Sequence, residues 1–241
     1  MKDNKSILIT GCGTGIGQYL MCALRKDGWD VIATDKEESE GILRLDLTDS
    51  ESIEQAVRKV DDITEGRLYA LINNAGVAYA GKLENITRDD LRHQFETNVF
   101  GVHELTNRVM SIFRKNGEGR IINISSINGR VSFPEMGAYS ASKFALEALT
   151  DALRLELKGS GIKVSLIEPG NIESNFRRNA ICRNIKLESK TGRSPEIVYR
   201  KVKRALESRN PKMRYSAGDG YILYLRKVLP DVIFEKVIKH V

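Results

Sequence analysis

Tyr139 and Lys143 stand four residues apart in the run Tyr139-Ser140-Ala141-Ser142-Lys143, at the head of a segment with helical periodicity. A spacing of i and i+4 puts the phenol and the ammonium on one face of a helix, one turn apart. A phenol alone is a poor acid–base group at neutral pH, because its free pKa is about 10. A fixed cation beside it favours the phenolate and draws that pKa toward the working range. Ser126, thirteen residues before the tyrosine, ends an apolar strand and is placed to donate a hydrogen bond to a reacting oxygen. Tyr-x-x-x-Lys also occurs on solvated helices, so the pair takes its meaning from the N-terminus.

There the chain reads Ser6-Ile7-Leu8-Ile9-Thr10-Gly11-Cys12-Gly13-Thr14-Gly15-Ile16-Gly17: an apolar strand, a glycine-rich turn, then a helix with Ile16, Leu20, Ala23 and Leu24 at helical spacing. Glycines let a backbone approach a pyrophosphate, and the helix that follows aims its free N–H groups and positive dipole end at the phosphates. A second strand, Asp30–Thr34, runs into Asp35, eighteen residues after Gly17. A carboxylate there accepts hydrogen bonds from adenosine ribose hydroxyls. A tight strand–helix turn with an incidental Asp is the plain alternative. Strand, helix and Asp in this order and spacing favour the dinucleotide.

Together these residues resemble the short-chain dehydrogenase/reductase family over roughly residues 6 to 176. The pattern Thr-Gly-x-x-x-Gly-x-Gly is met by Thr10, Gly11, Gly15 and Gly17, and Asn73-Asn74-Ala75-Gly76 matches the family's Asn-Asn-Ala-Gly strand end. The active-site serine, tyrosine and lysine fall on Ser126, Tyr139 and Lys143, the asparagine of the proton relay on Asn98, and the Pro-Gly after the sixth strand on Pro169-Gly170. The resemblance implies NAD as cofactor, with NADP as the alternative. It extends cofactor contact to Thr14, Ile16, Asp46, Leu47, Asn74, Ala75 and Gly76, and to Tyr139 and Lys143 at the nicotinamide ribose. Asp46 is the family's adenine contact; a capping Asp before Thr48 accounts for it equally well. The carboxamide contact, an aliphatic residue then a threonine in the family, is Ile172 and Ser174 here. Serine keeps the hydroxyl and loses the methyl that restricts its rotamer.

Six short apolar strands (Ile7–Thr10, Val31–Thr34, Leu43–Asp46, Leu68–Asn73, Arg120–Ser125, Lys163–Glu168) alternate with helical segments such as Ser50–Thr64, Arg88–Asn116 and Ala138–Lys158. This alternation predicts an α/β fold: a Rossmann-like, doubly wound parallel sheet with helices on both faces. The whole chain, 1–241, reads as a single domain. Residues 171–193 lack a clear period, and the family places a substrate lid there. Residues 194–241 read as a basic helical segment, with Ser194-Pro195-Glu196 opening one helix and Tyr221–Leu229 and Asp231–Val241 forming two more around Pro230.

The net charge of +6 hides an asymmetry: residues 177–241 hold 17 Lys and Arg against 6 Asp and Glu, while the first 176 residues hold 21 against 26. A basic final quarter suits an anionic substrate, an anionic membrane surface or simply a solvated face. No nucleic-acid motif accompanies it, so nucleic acid is not expected as a partner. Three cysteines (Cys12, Cys22, Cys182) without paired spacing argue against disulfides and zinc, and no metal site is expected. Met1-Lys2-Asp3-Asn4-Lys5 leads straight into the first strand without a signal-like start, and the apolar runs are strand-sized, so a cytoplasmic location is expected. His93, His103 and His240 form no triad or ligand spacing, and Trp29 reads as packing.

Two function classes follow. One is an NAD(P)-dependent alcohol dehydrogenase or carbonyl reductase acting on a small molecule; the distal half resembles members acting on retinoids, steroids or aliphatic aldehydes. The other is a catalytically silent dinucleotide sensor or scaffold. The presence of all four relay residues favours the enzyme. A homo-oligomer, most simply a dimer, is expected through the helices at Arg88–Asn116 and around Tyr139, with Leu146, Leu149, Leu153 and Leu157 as its apolar stripe.

Overall fold

Strand and helix alternate in the computed structural model, which describes residues 5–174, 176, 178–185 and 192–238. In chain order they are β1 (Ser6–Thr10), α1 (Gly15–Lys26), β2 (Asp30–Asp35), β3 (Ile42–Arg44), α2 (Ser50–Thr64), β4 (Leu68–Asn73) and β5 (Tyr79–Gly81). Then come α3 (Arg88–Phe95), α4 (Gly101–Asn116), β6 (Gly119–Ile124), α5 (Gly137–Glu156), β7 (Ile162–Pro169) and β8 (Ile181–Arg183). The chain continues through α6 (Glu196–Glu207), β9 (Arg214–Ala217), α7 (Gly220–Val228) and α8 (Asp231–Ile238). Among the described residues the main sheet has seven strands in the order β3-β2-β1-β4-β6-β7-β9, every pair parallel. This is the expected doubly wound α/β architecture.

The sheet's period of two divides the core. Ile7 and Ile9 of β1 pack with Leu20, Leu24, Val198 and Val202 on the α1/α6 face, whereas Leu8 packs with Ile53, Leu105 and Phe113 on the α2/α4/α5 face. Each large apolar side chain so buried contributes roughly 1.5–3 kcal/mol relative to exposure. A third cluster, Ile127, Val131, Ile222, Phe234 and Ile238, seats the α7–α8 hairpin over the turn that follows β6.

Four sequence expectations are corrected. Arg88–Asn116 is two helices joined by a π turn, Glu96–Phe100, because apolar periodicity does not register one wider turn. The stripe on α5 is largely core: Leu146 and Leu157 are buried with Leu153 packed beside them, and only Leu149 is exposed, at 40%. Residues 171–193 contain a strand, β8, paired in parallel with β5. A seventh sheet strand, β9, comes from Arg214–Ala217, which carries too short a pattern to be read alone. The expectation for His240, and the ends of the lid and tail, fall partly outside the described residues. Trp29 is buried against the Tyr69 ring, 5.9 Å between centroids.

Candidate active site

The carboxyl ends of β1, β2, β4, β6 and β7 open into one cleft of about 960 Å³. At its β1 end the turn is tied down by Thr10 and Asn74. The Thr10 hydroxyl accepts from the N–H groups of Asn74 and Ala75, both at 3.0 Å, while the Asn74 amide donates to the Thr10 and Gly11 carbonyls at 2.9 and 3.1 Å. Gly17 lies so close to this turn that a Cβ would stand 1.9 Å from the Gly11 carbonyl oxygen, so only glycine permits the helix to start here. Cys12 is buried in the turn; its thiol donates to the Ile9 carbonyl and burial pushes its pKa up to about 12, which makes it inert. Asp35, at the end of β2, accepts from the Gly13 N–H at 2.6 Å. Asp46 caps locally, accepting from the Thr48 N–H and hydroxyl, and also lines the cleft while pairing with Lys36 at 3.4 Å.

Further along the cleft, the last residues of β6 and the first turns of α5 face one another. The Lys143 ammonium donates to the Ile124 carbonyl at 2.9 Å, and burial pushes it down to about 8. Burial also pushes the Tyr139 phenol up, with the Ser126 hydroxyl working against that shift through a hydrogen bond. Ser126 is held in turn: its Oγ accepts from the Asn128 N–H at 3.1 Å and faces the Pro169 carbonyl at 3.4 Å. Asn98, carried on the π turn, is fully buried beside the cleft; its Oδ1 accepts from the Val77 N–H, and its amide donates to the Val77 carbonyl and the Ser142 hydroxyl. Asn98 and Lys143 flank Gly76, where a Cβ would lie 3.3 Å from Asn98 Oδ1 and 3.7 Å from Lys143 Nζ.

Every residue expected from the sequence to act in catalysis or cofactor binding lines this cleft except Gly17 and Asn98, which lie beside it. Lys36, which the sequence already sets beside Asp35 as a candidate phosphate contact, lines it as well; Asn128, Phe176, Arg193 and Asp219 do too, and nothing in the sequence flagged them. They reach it from loops whose course only the fold sets. Among the described residues no group of three His, Cys, Asp or Glu side chains is arranged to hold a metal ion.

The volume is at the upper end of small-molecule pockets, about 300–1,000 Å³, and suits a dinucleotide with space beyond it for a substrate. A cradle of backbone at a helix N-terminus, a carboxylate at the end of the second strand and a buried Tyr–Lys pair define a nicotinamide-dinucleotide oxidoreductase. The model of the short chain dehydrogenase family matches residues 5–183, and the chain belongs to that family. It is 39% identical to the uncharacterized oxidoreductase YbbO of Escherichia coli, covering 98% of this chain and 94% of that one. It is 35% identical to a 3-ketodihydrosphingosine reductase of Bacteroides thetaiotaomicron, covering 88% and 87%. Among solved structures, a short-chain dehydrogenase from Streptomyces avermitilis aligns with a TM-score of 0.84 at 30% identity over 98% of each chain. One from Burkholderia cenocepacia in complex with NADP aligns at 0.78 with 25% identity, over 95% of this chain and all of that one. The protein is thus an oxidoreductase that uses NAD(P).

Proposed function

We propose that the protein reduces a carbonyl, or oxidises the corresponding alcohol, on a lipophilic small molecule. The observation that carries this reading is the meeting of Tyr139, Lys143 and Ser126 midway along one cleft. The glycine turn and Asp35 lie at one end, and an apolar wall of Phe133, Met136, Phe176, Tyr221, Ile222 and Ile238 at the other. The relative named for 3-ketodihydrosphingosine reduction supports the same substrate class.

In this reading Gly11, Thr14, Gly15 and Ile16 cradle the pyrophosphate. Asp35 takes the adenosine ribose, Asp46 and Leu47 the adenine, and Asn74, Ala75 and Gly76 the adjoining wall. Pro169, Gly170, Ile172 and Ser174 border the nicotinamide. The bound nicotinamide supplies or accepts the hydride. Tyr139 gives its proton to the carbonyl oxygen, or takes it from the alcohol. Lys143 stabilises the phenolate and binds the ribose hydroxyls. Ser126 donates to the developing oxyanion. Asn98 holds Val77 and Ser142 in place and connects the Lys143 side to solvent through water.

Tyr139→Phe removes the titrating oxygen and is expected to lower turnover at least 10²-fold, the scale of a general acid–base group, while NADH binding survives. Unchanged turnover on every aldehyde and ketone the wild type accepts would remove Tyr139 from the mechanism.

The partners extend this reading. The outer face of the α7–α8 hairpin exposes Tyr224, Val228, Val232 and Ile233, beside Lys227 and Lys236, while its inner face walls the substrate end of the cleft. Weak, salt-sensitive contact with anionic membranes fits that arrangement, at about 1 kcal/mol per well-placed cation. Equal sedimentation with neutral and anionic vesicles at low salt would exclude it. Among the described residues no helix is long and apolar enough to cross a membrane. The three free cysteines support the reading of a reducing, cytoplasmic location.

A further inference from the structure

A second polar cluster lies directly behind the reacting groups, and proton transfer as described above does not use it. Three consecutive residues at the end of β6 address three residues of α5: the Ile124 carbonyl holds Lys143, Ser126 acts on Tyr139, and Ser125 turns toward Glu147. Glu147 follows Lys143 by one helical turn and is 5% exposed. One of its carboxylate oxygens accepts from Arg214 Nε at 3.1 Å. The other oxygen and the Ser125 hydroxyl are buried without a hydrogen-bond partner of good geometry among the described residues, yet stand close enough for Ser125 to favour the carboxylate form. Gly129 closes over them: a Cβ there would stand 2.7 Å from Ser125 Oγ, 2.9 Å from Glu147 Cγ and 3.2 Å from the Lys143 carbonyl.

The charges around Glu147 come from four elements. Asp151 of α5 pairs with Arg214 of β9 at 2.5 Å and with Arg154, while Glu168 of β7 pairs with Arg214 at 3.3 Å and with Arg130, just after β6, at 3.2 Å. Three carboxylates and three guanidiniums thus balance, and Lys143, one helical turn before Glu147, adds a cation that its charge acts on without a direct ion pair. A buried carboxylate is costly unless it is paired, and Arg214 supplies that pair to Glu147.

We propose that Glu147 is a positioning residue for the reaction: anchored by Arg214, it holds the Ser125–Ser126 strand end against α5 and keeps Lys143 in its charged form. This rests on the relay described under Proposed function. Burial lowers the proton affinity of Lys143, and the Glu147 carboxylate opposes that loss. Burial and the nearby Glu168 push Glu147 itself up, while Ser125 and Arg214 pull it back.

The test is the pH profile, from 6 to 10, of NADH-dependent reduction of decanal by Glu147→Gln, Glu147→Asp and Ser125→Ala. NADH binding is followed in parallel by fluorescence. Without the carboxylate Lys143 releases its proton more readily, so the alkaline limb of kcat/KM moves to lower pH in Glu147→Gln, by roughly one unit. Glu147→Asp restores the limb, and Ser125→Ala, the gentler change, moves it in the same direction by less. NADH binding at pH 9 weakens more than at pH 7 in Glu147→Gln, which tests the inference even if decanal is not turned over. A limb that stays in place and NADH affinity that falls equally at both pH values, in Glu147→Gln and Ser125→Ala alike, would overturn it and leave Glu147 as packing. Loss of decanal reduction by the wild type itself, with the NADH effect intact, would count against the proposed substrate class alone.

Discussion

The ring of Phe176 lies 5.2 Å from that of Tyr139, inclined at 57°. Phe176 comes from the irregular segment after β7, so that segment helps bury the phenol that α5 presents. An edge-tilted pair of this kind contributes about 0.5–1.5 kcal/mol beyond the area it buries.

Phe176→Ala opens that cover. The expected result is a rise in KM for a long-chain aldehyde of about 3- to 10-fold, the effect of losing an aromatic contact of that size, with NADH affinity unchanged. Steady-state kinetics on decanal and on acetaldehyde separate the cases. An equal KM change for the short aldehyde would show that Phe176 shapes the phenol rather than a lipophilic pocket.

Cofactor choice turns on Asp35 and its neighbour. Asp35 already accepts from Gly13, and its charge opposes a 2′-phosphate, while Lys36 is drawn toward Asp46. We expect kcat/KM to favour NADH over NADPH. Asp35→Ser combined with Asp46→Asn frees Lys36 and shifts the ratio at least tenfold toward NADPH. A wild type that prefers NADPH would mean that Lys36 reaches the phosphate despite Asp46.

Strand β8 is moored by charge. Arg183 forks onto Asp90, with Nε at 3.0 Å and Nη2 at 2.5 Å, and Asp90 also closes a capping box with Thr87 at the start of α3. The Arg183 guanidinium holds the Asp90 carboxyl well below the usual carboxylate range. A lowered folded pKa contributes stability that is complete above the unfolded value, about 4, and is lost as pH falls through the folded one. Hydrogen exchange at Ile181–Arg183 should therefore hold its protection from pH 7 down to 5, and Asp90→Asn should lose it at both. Equal protection in the variant would show that the β5–β8 ladder suffices without the ion pair.

For self-association, the exposed large apolar residues on the expected helices are Leu91 on α3, Phe100 just before α4, and Phe144, Leu149 and Leu155 on α5. We expect a dimer in light scattering, and Phe100→Ser with Phe144→Ser should shift it to monomer. A wild-type mass of 27.0 kDa at micromolar concentration would rule the dimer out.

Local pattern alone determined a good deal of this protein. The glycine turn, the Tyr139–Lys143 spacing and Ser126 were legible because each depends on neighbours within one turn of helix or one strand end. So was the parallel sheet, because buried parallel strands read as short apolar runs between amphipathic helices. The α2 boundaries, Ser50–Thr64, follow from Asp49 capping the Glu51 and Ser52 N–H groups. What tertiary structure decided is what joins distant segments. The π turn that carries Asn98 leaves no mark on apolar periodicity. β8 and β9 are short strands that exist because β5 and β7 offer free edges. The apolar stripe on α5 looked like an interface, yet most of it was needed against α4 and the sheet. Arg214 meets Glu147 and Glu168 across 67 and 46 residues of chain, and no local rule links them. Spacing in sequence reports contacts that the backbone's own periodicity makes. Contacts made by folding distant strands together are set only when the core closes.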